Sequence, residues 1–312
     1  MSDFALKAEG LTKTFGTRTV VNDVSFHVKP GEVFGFLGPN GSGKTTTIRM
    51  ALNIIKPNKG TVSLLGVQPK LSMLWKVGYL PEEVGLPPKV KIIDTVRYFA
   101  RLKGLPKKEA ETRTDELLHA VGLFDHRFKK MEALSHGMRQ MTQFAVAIAA
   151  RPQLLILDEP FAGLDPLNVN LMKQILMDLR QNGTTIMFST HIMSDVEEMC
   201  ERIALIADSK LLLFGELAEI RRQRGVKSVQ VQAPAIPEEL QTAEFKKHPG
   251  EIIEFTINKE LTPEHIFQSY AAANIPVDRF ERMLPSLNDI FIEEVSKARK
   301  GSKQAEEMPH EQ

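Results

Sequence analysis

The chain has 312 residues, and its 40 Lys and Arg against 39 Asp and Glu leave a net charge of +1, a length that predicts two domains and a balance that argues against a nucleic-acid binder driven by bulk positive charge. Its 42% hydrophobic and 25% charged residues are those of a globular protein, and the single cysteine, Cys200, excludes an intrachain disulfide or a cysteine-built zinc site and points to a reducing cytoplasm. The start, Met1 to Lys7, is charged too early for a secretory signal, and the longest apolar run, Phe144 to Ala150, ends at Arg151, well short of the ~20 residues that cross a bilayer.

After a short strand-like opening, Glu32 to Leu37 reads as a buried strand: a compact apolar run, too short for a helix and rich in β-formers. A glycine-rich turn from Gly38 to Gly43 then opens a helix through Leu52. Lys56 to Gly60 marks a turn, and Thr61 to Leu65 another short strand. From about residue 83 to 150 the pattern changes. Pro87 and Pro88 break regular structure, and Asp94 to Leu102 and Arg113 to Val121 then carry apolar residues at helical spacing, which predicts an inserted helical subdomain. It closes with a helix from Gly137 to Ala150. Beyond it come a continuous strand at Leu154 to Leu157, a helix around Leu167 to Gln181, a strand at Thr184 to Phe188, and a terminal hairpin turning at Asp208-Ser209. Apolar strands alternating with helices predict a mainly parallel α/β sheet covered on both faces.

A charged stretch near Arg221 to Gly225 suggests a boundary, with the first domain at 1–222. Residues 225–298 read as a small α+β domain: strands at Val229 to Val231 and Ile252 to Ile257, a helix after Thr262-Pro263, and a last helix from Pro285-Ser286, where Ser286 and Asp289 have capping-box spacing. Residues 299–312 are polar and predict a disordered tail. No internal repeat is present.

Gly38-Pro39-Asn40-Gly41-Ser42-Gly43-Lys44-Thr45-Thr46 fits the phosphate-binding loop pattern GxxxxGK[ST]. Glycines let the backbone wrap closely, successive N–H groups point inward as an anion nest, and the following helix presents its positive dipole end. Lys44 is expected to reach the β- and γ-phosphates, and the Thr45 hydroxyl to bind Mg²⁺. A second carboxylate for the metal is Asp158, held at a strand's carboxyl end, where ligands sit in open α/β sheets. Glu159, next along, is placed to take a proton from an attacking water; read alone, it would be a surface carboxylate beginning a loop.

Together these motifs resemble the ATP-binding cassette, the motor subunit of ABC transporters. Leu134-Ser135-His136-Gly137-Met138 resembles the family's signature segment, with His136 where glycine is commonest and Met138 where glutamine is usual; Ser135 also reads as a helix N-cap. Gly163-Leu164-Asp165 resembles the D-loop, Ser189-Thr190-His191 the switch histidine, and Phe15 the aromatic that stacks on adenine, core packing being the other reading of Phe15. In Gly78-Tyr79-Leu80-Pro81-Glu82-Glu83 the family usually has glutamine where Glu82 stands, so Glu82 is either a working Mg²⁺ ligand or turned outward on a loop that only couples motion.

The resemblance runs over roughly residues 4 to 215. It implies a P-loop NTPase fold of the ABC-cassette type with a helical subdomain, and an ATPase that uses ATP and Mg²⁺. ATP on the loop of one copy would be completed by Ser135 and Gly137 of a second copy in a head-to-tail dimer, which would drive a separate integral membrane permease from the cytoplasmic face of the membrane. Pro285 to Ile292 resembles the ending of cassette subunits from bacterial exporters of drugs, antibiotics, sodium or polysaccharide. A soluble cassette ATPase acting on ribosomes or nucleic acid is the alternative; such relatives typically carry tandem cassettes or long coiled coils, and neither pattern occurs, so no nucleic-acid partner is expected.

Overall fold

The computed structural model describes residues 3–306. The chain divides into two compact units, the break falling between Gly215 and Glu216. That is earlier than the charged stretch at Arg221 to Gly225, of which Arg221 to Gln223 end a helix.

In chain order, the first unit contains β1 (Leu6–Phe15), β2 (Arg18–Val28), β3 (Val33–Leu37), α1 (Lys44–Ala51), β4 (Lys59–Leu64), β5 (Val77–Leu80), α2 (Ile92–Leu102), α3 (Lys107–Ala120), α4 (His136–Ile148), β6 (Leu154–Asp158), α5 (Pro166–Gln181), β7 (Thr185–Thr190), α6 (Met193–Met199), β8 (Arg202–Ala207) and β9 (Lys210–Glu216). Two sheets form. An antiparallel sheet has the order β2-β1-β4, and a six-stranded sheet the order β5-β6-β7-β3-β8-β9, in which β5, β6, β7, β3 and β8 run parallel. The strands β3, β6, β7 and β8 are buried along their whole length, the pattern of parallel strands covered on both faces. The turn to β9 is Asp208-Ser209 with both φ angles positive, the two-residue geometry whose twist suits a hairpin.

Helix α1 lies in one core with both sheets. Ile48, Met50 and Ala51 pack with Leu6, Leu11, Val24 and Leu64 of the antiparallel sheet and with Phe34, Phe36, Leu154 and Ile156 of the parallel one. The phosphate-loop helix is thereby fixed by apolar burial on two sides. Helices α2, α3 and α4 lie within the predicted subdomain and present Val96, Ala100, Leu117, Leu118, Met141 and Phe144 to its interior.

The second unit contains α7 (Leu217–Gln223), β10 (Ser228–Gln232), β11 (Phe245–His248), β12 (Ile252–Thr256), α8 (Pro263–Ala272), β13 (Arg279–Met283) and α9 (Leu287–Glu306). Its antiparallel sheet, β11-β12-β10-β13, buries Val229, Val231, Ile253 and Phe255 against Ile266 and Tyr270 of α8. The capping box at α9 forms as the spacing predicts: Asp289 N–H donates to Ser286 Oγ at 3.1 Å while Ser286 N–H donates to Asp289 Oδ2 at 3.1 Å. The backbone stays helical to Glu306, into the stretch 299–312 for which composition predicts disorder; the remainder of that stretch, 307–312, lies outside the described residues.

Candidate functional site

Strand order decides where the motifs meet. In the row β5-β6-β7-β3 all strands are parallel, with Leu80 opposite Leu157, Asp158 opposite Ser189 and Leu37 opposite Thr190. Their carboxyl ends therefore release, side by side, the segments that carry Glu82, Glu159, His191 and the phosphate loop. This is the edge at which open α/β sheets hold ligands.

An open cleft of about 480 Å³ lies there, lined by Arg18, Val20, Asn40, Gly41, Gly43, Lys44, Thr45, Thr46, Glu82 and Glu159. Gly43 is at φ 105°, and a Cβ on it would stand 2.4 Å from Val20 O, so only glycine turns the chain into α1 at this point. No side chain caps α1 and no acid lies in its first turn. First-turn amides have no acceptor within a helix, so this end is built to receive an anion. Lys44 folds back across the loop, its Nζ donating to Gly38 O at 2.8 Å and to Pro39 O at 3.4 Å.

The same ammonium stands 3.2 Å from Glu159 Oε1, an ion pair between side chains only 6% and 8% exposed. Glu159 Oε2 in turn meets His191 Nδ1 at 3.0 Å. The Glu159 backbone is at φ 49°, in the left-handed region that costs a non-glycine residue ~1 kcal/mol or more. It is held there by its own N–H, which donates to Ser189 O at 3.1 Å. Glu159 is thus a buried, pre-aimed carboxylate; the surface-loop reading fails.

Asp158 is fully buried. Its Oδ1 accepts from Ser189 Oγ at 2.5 Å, whereas Oδ2 has no hydrogen-bond partner among the described residues, and Ser42 Oγ of the phosphate loop is likewise buried without one. A buried carboxylate oxygen left unpaired is costly and is the donor chemistry a hard divalent cation satisfies. The donor set of Asp158 and Thr45 therefore fits Mg²⁺. The charge of Asp158 also helps burial to push the Tyr79 phenol upward, burial being the larger cause.

Of the other sequence-derived residues, Glu82 lines this cleft and Phe15, Ser135, Gly137 and Asp165 do not. Phe15 is 50% exposed at the end of β1 with Lys13 Nζ 5.1 Å from its ring centre, which removes the core-packing reading and leaves a free aromatic face, although Phe15 does not line the cleft itself. Ser135 caps α4, its Oγ accepting from Met138 N–H at 3.2 Å, and both it and the part-buried Gly137 stand at the surface end of that helix. The neighbouring His136 ring packs on Gly163, so closely that a Cβ there would meet its Cδ2 at 2.7 Å, which ties the start of α4 to the loop before Asp165. Asp165 caps α5, accepting from Leu167 N–H at 3.0 Å and Asn168 N–H at 3.1 Å; the Asn168 bonds are the main reason its carboxyl is held below the ordinary range. Glu82 lines the cleft from an exposed loop.

Three side chains escaped sequence reasoning. Arg18 contributes a cation to the cleft, and the amides of Gln140 and Gln143 are buried in α4. The turn-rich start of β2 and the apolar setting of α4 gave no local signal for them.

A phosphate loop between β3 and α1, a buried Asp-Glu pair at the end of β6 and a histidine just past β7, the strand between these two, define a P-loop nucleoside triphosphatase. Family comparison narrows this further. Residues 21–162 match the family model described as "ABC transporter", and residues 215–295 match the C-terminal domain of DrrA1-3-like ATP-binding proteins. The chain is 39% identical to the ABC transporter ATP-binding protein YhaQ of Bacillus subtilis over 93% of this chain and 98% of YhaQ. It is 36% identical to the bacitracin transport ATP-binding protein BcrA of Bacillus licheniformis over 66% of this chain and 68% of that relative. A solved ATP-binding subunit of an ABC transporter superposes with a TM-score of 0.66 at 30% identity, covering 71% of this chain and 93% of that one. The chain belongs to the ABC transporter ATP-binding protein family, and is an ATPase subunit of that kind. Among the described residues no helix is long and apolar enough to cross a membrane.

Proposed function

We propose that this protein binds MgATP between two copies of itself and uses hydrolysis to drive a separate integral membrane permease in an exporter. The observation that carries the reading is the chain Lys44–Glu159–His191, linked at 3.2 Å and 3.0 Å at the mouth of the phosphate loop. A buried carboxylate beside the loop's lysine, with a histidine at its other oxygen, supports a hydrolytic site.

Asp158 and Thr45 would hold Mg²⁺, with Glu82 as a further ligand; bound there, the metal would neutralise phosphate charge. Lys44 holds the β- and γ-phosphates, the loop from Gly38 to Thr46 donates its amides, and Phe15 with Arg18 faces the base and sugar. Glu159 accepts the proton of the attacking water, and His191, through Nδ1, fixes the carboxylate's direction and senses the γ-phosphate. One copy leaves the site open on the side away from its loop. Ser135 and Gly137 of the second copy would close it head to tail, with Asp165 at the contact.

Tyr98 and Leu102 stand 61% and 65% exposed on α2, an apolar face of the helical subdomain for a permease to press on. That attachment would hold the protein at the cytoplasmic face of a membrane. The direction of transport rests on BcrA and on the 32% identical linearmycin resistance ATP-binding protein LnrL of Bacillus subtilis.

Sizing the Glu159→Gln protein with and without MgATP tests the dimer. A shift from monomer to dimer with nucleotide, abolished by a further Ser135→Arg change, is expected; a monomer under both conditions would refute the composite site.

A further inference from the structure

Gln143 sits in α4 only 3% exposed, at the start of the apolar run that ends the helix. A buried primary amide has to find partners for its donors and acceptor, and Gln143 finds all of them in one loop. Its Nε2 donates to Pro81 O at 2.9 Å and to Glu83 O at 3.4 Å, and its Oε1 accepts from Gly85 N–H at 2.9 Å. The two carbonyls belong to the residues on either side of Glu82, whose side chain lines the nucleotide cleft. The backbone of Glu82 is therefore gripped before and after by one side chain more than fifty positions along the sequence.

The same helix has a second grip. Gln140, 1% exposed and one turn earlier on the same side of α4, donates from Nε2 to Pro160 O at 3.4 Å, next to Glu159. Its N-terminus is the Ser135 cap. A helix is a stiff rod, so a displacement of its Ser135 end is carried to the loops on which both cleft carboxylates ride.

We propose that Gln143 is a positioning residue for ATP hydrolysis: it holds Glu82 at the cleft and couples that carboxylate to the signature end of α4. This rests on the reading of Glu82 as a working member of the site. Gln143 touches no reacting atom; it acts through the loop.

The test is a double-mutant cycle on the full chain, with ATP turnover and MgATP affinity measured separately. Gln143→Met keeps the length and loses every hydrogen bond; Gln143→Glu keeps the acceptor for Gly85 and sets a carboxylate against two carbonyls. Each is expected to lower kcat about ten- to hundredfold while leaving MgATP affinity within about threefold, the split that misplacement without loss of binding produces. In a Glu82→Ala background the same changes are expected to lower kcat by less than about threefold further, because the group they position is gone. Wild-type turnover in either Gln143 variant, or losses that multiply fully with Glu82→Ala, would overturn the inference while leaving Glu82 in place. Wild-type turnover in Glu82→Ala would instead remove Glu82 from the site, and the positioning role with it. Should Gln143→Met fold poorly, seen as lost MgATP affinity, Gln143→Glu decides alone.

Discussion

The pairing of Lys44 with Glu159 makes a prediction about the nucleotide-free protein that is independent of turnover. Both side chains are less than a tenth exposed and their charges are 3.2 Å apart. Lys44→Ala leaves Glu159 with only His191 at 3.0 Å to balance a buried negative charge. Stranding one member of a buried pair costs about 3–5 kcal/mol. Because both groups line an open cleft, water reaches the stranded carboxylate, so a loss at or just below the bottom of that range, roughly 2–3 kcal/mol, is expected. At ~2–4 °C per kcal/mol for a unit of this size, that is a fall in Tm of about 5–10 °C. Glu159→Gln keeps the shape and leaves Lys44 its two carbonyls, Gly38 O and Pro39 O, so its cost should be about 1 kcal/mol. The double variant Lys44→Ala, Glu159→Gln should then be more stable than Lys44→Ala alone. Urea unfolding followed by the fluorescence of Trp75, the chain's single tryptophan and a residue of the first unit, reads the unit concerned. A Lys44→Ala loss below about 1 kcal/mol, or losses that simply add in the double variant, would refute the buried pair.

Two further outcomes concern stability alone. The Tyr270 hydroxyl is buried in the second unit without a partner among the described residues, its phenol pushed up to about 12 by burial, so Tyr270→Phe should stabilise that unit by about 1 kcal/mol; slower hydrogen exchange at the β10 amides checks it, and faster exchange would show that the hydroxyl is paired. Burial pulls the Lys103 amine down to about 8, while among the described residues its Nζ donates only to Val77 O at 3.4 Å and Ala147 O at 3.3 Å. Below that pH both folded and unfolded chains carry the proton; between about 8 and 10.5 only the unfolded chain does, so stability contributed by this site rises with pH, by at most ~3 kcal/mol over the full window. Relative to Lys103→Met, which lacks the titration, the wild-type protein should gain stability from pH 7.5 to 9.5, and an unchanged difference would place the amine in water.

Most of the site was legible because its chemistry is local in sequence. The glycine loop, Asp158 with Glu159, and His191 each follow a short apolar run, and a run of that kind announces both a buried strand and the place where the chain leaves it. Composition could not give the strand order that sets β7 between β6 and β3 and so brings His191 to Glu159, since pairing is decided by packing across the whole sheet. The antiparallel β2-β1-β4 sheet was read only as a strand-like opening: β1 and β2 are half-buried and interrupted by register shifts, which blur the alternation. The edge strands β11 and β13 were missed for a related reason, Phe245–His248 and Arg279–Met283 being too charged to read as strands. Buried polar contacts were invisible altogether. Gln143 looks like one polar residue at the edge of an apolar helix until its loop is seen, and the buried Arg202–Glu32 pair, at 3.0 Å, joins residues whose separation carries no pattern.

The central claim is that Glu159 activates water at a nucleotide site that Lys44 and the phosphate loop hold independently of it. Side-by-side measurement of MgATP affinity and steady-state ATP turnover for the wild-type and Glu159→Gln proteins tests this most directly. The account predicts affinity within about threefold of wild type and turnover lower by about 10²–10⁴. Turnover near the wild-type rate, with nucleotide still bound, would contradict it.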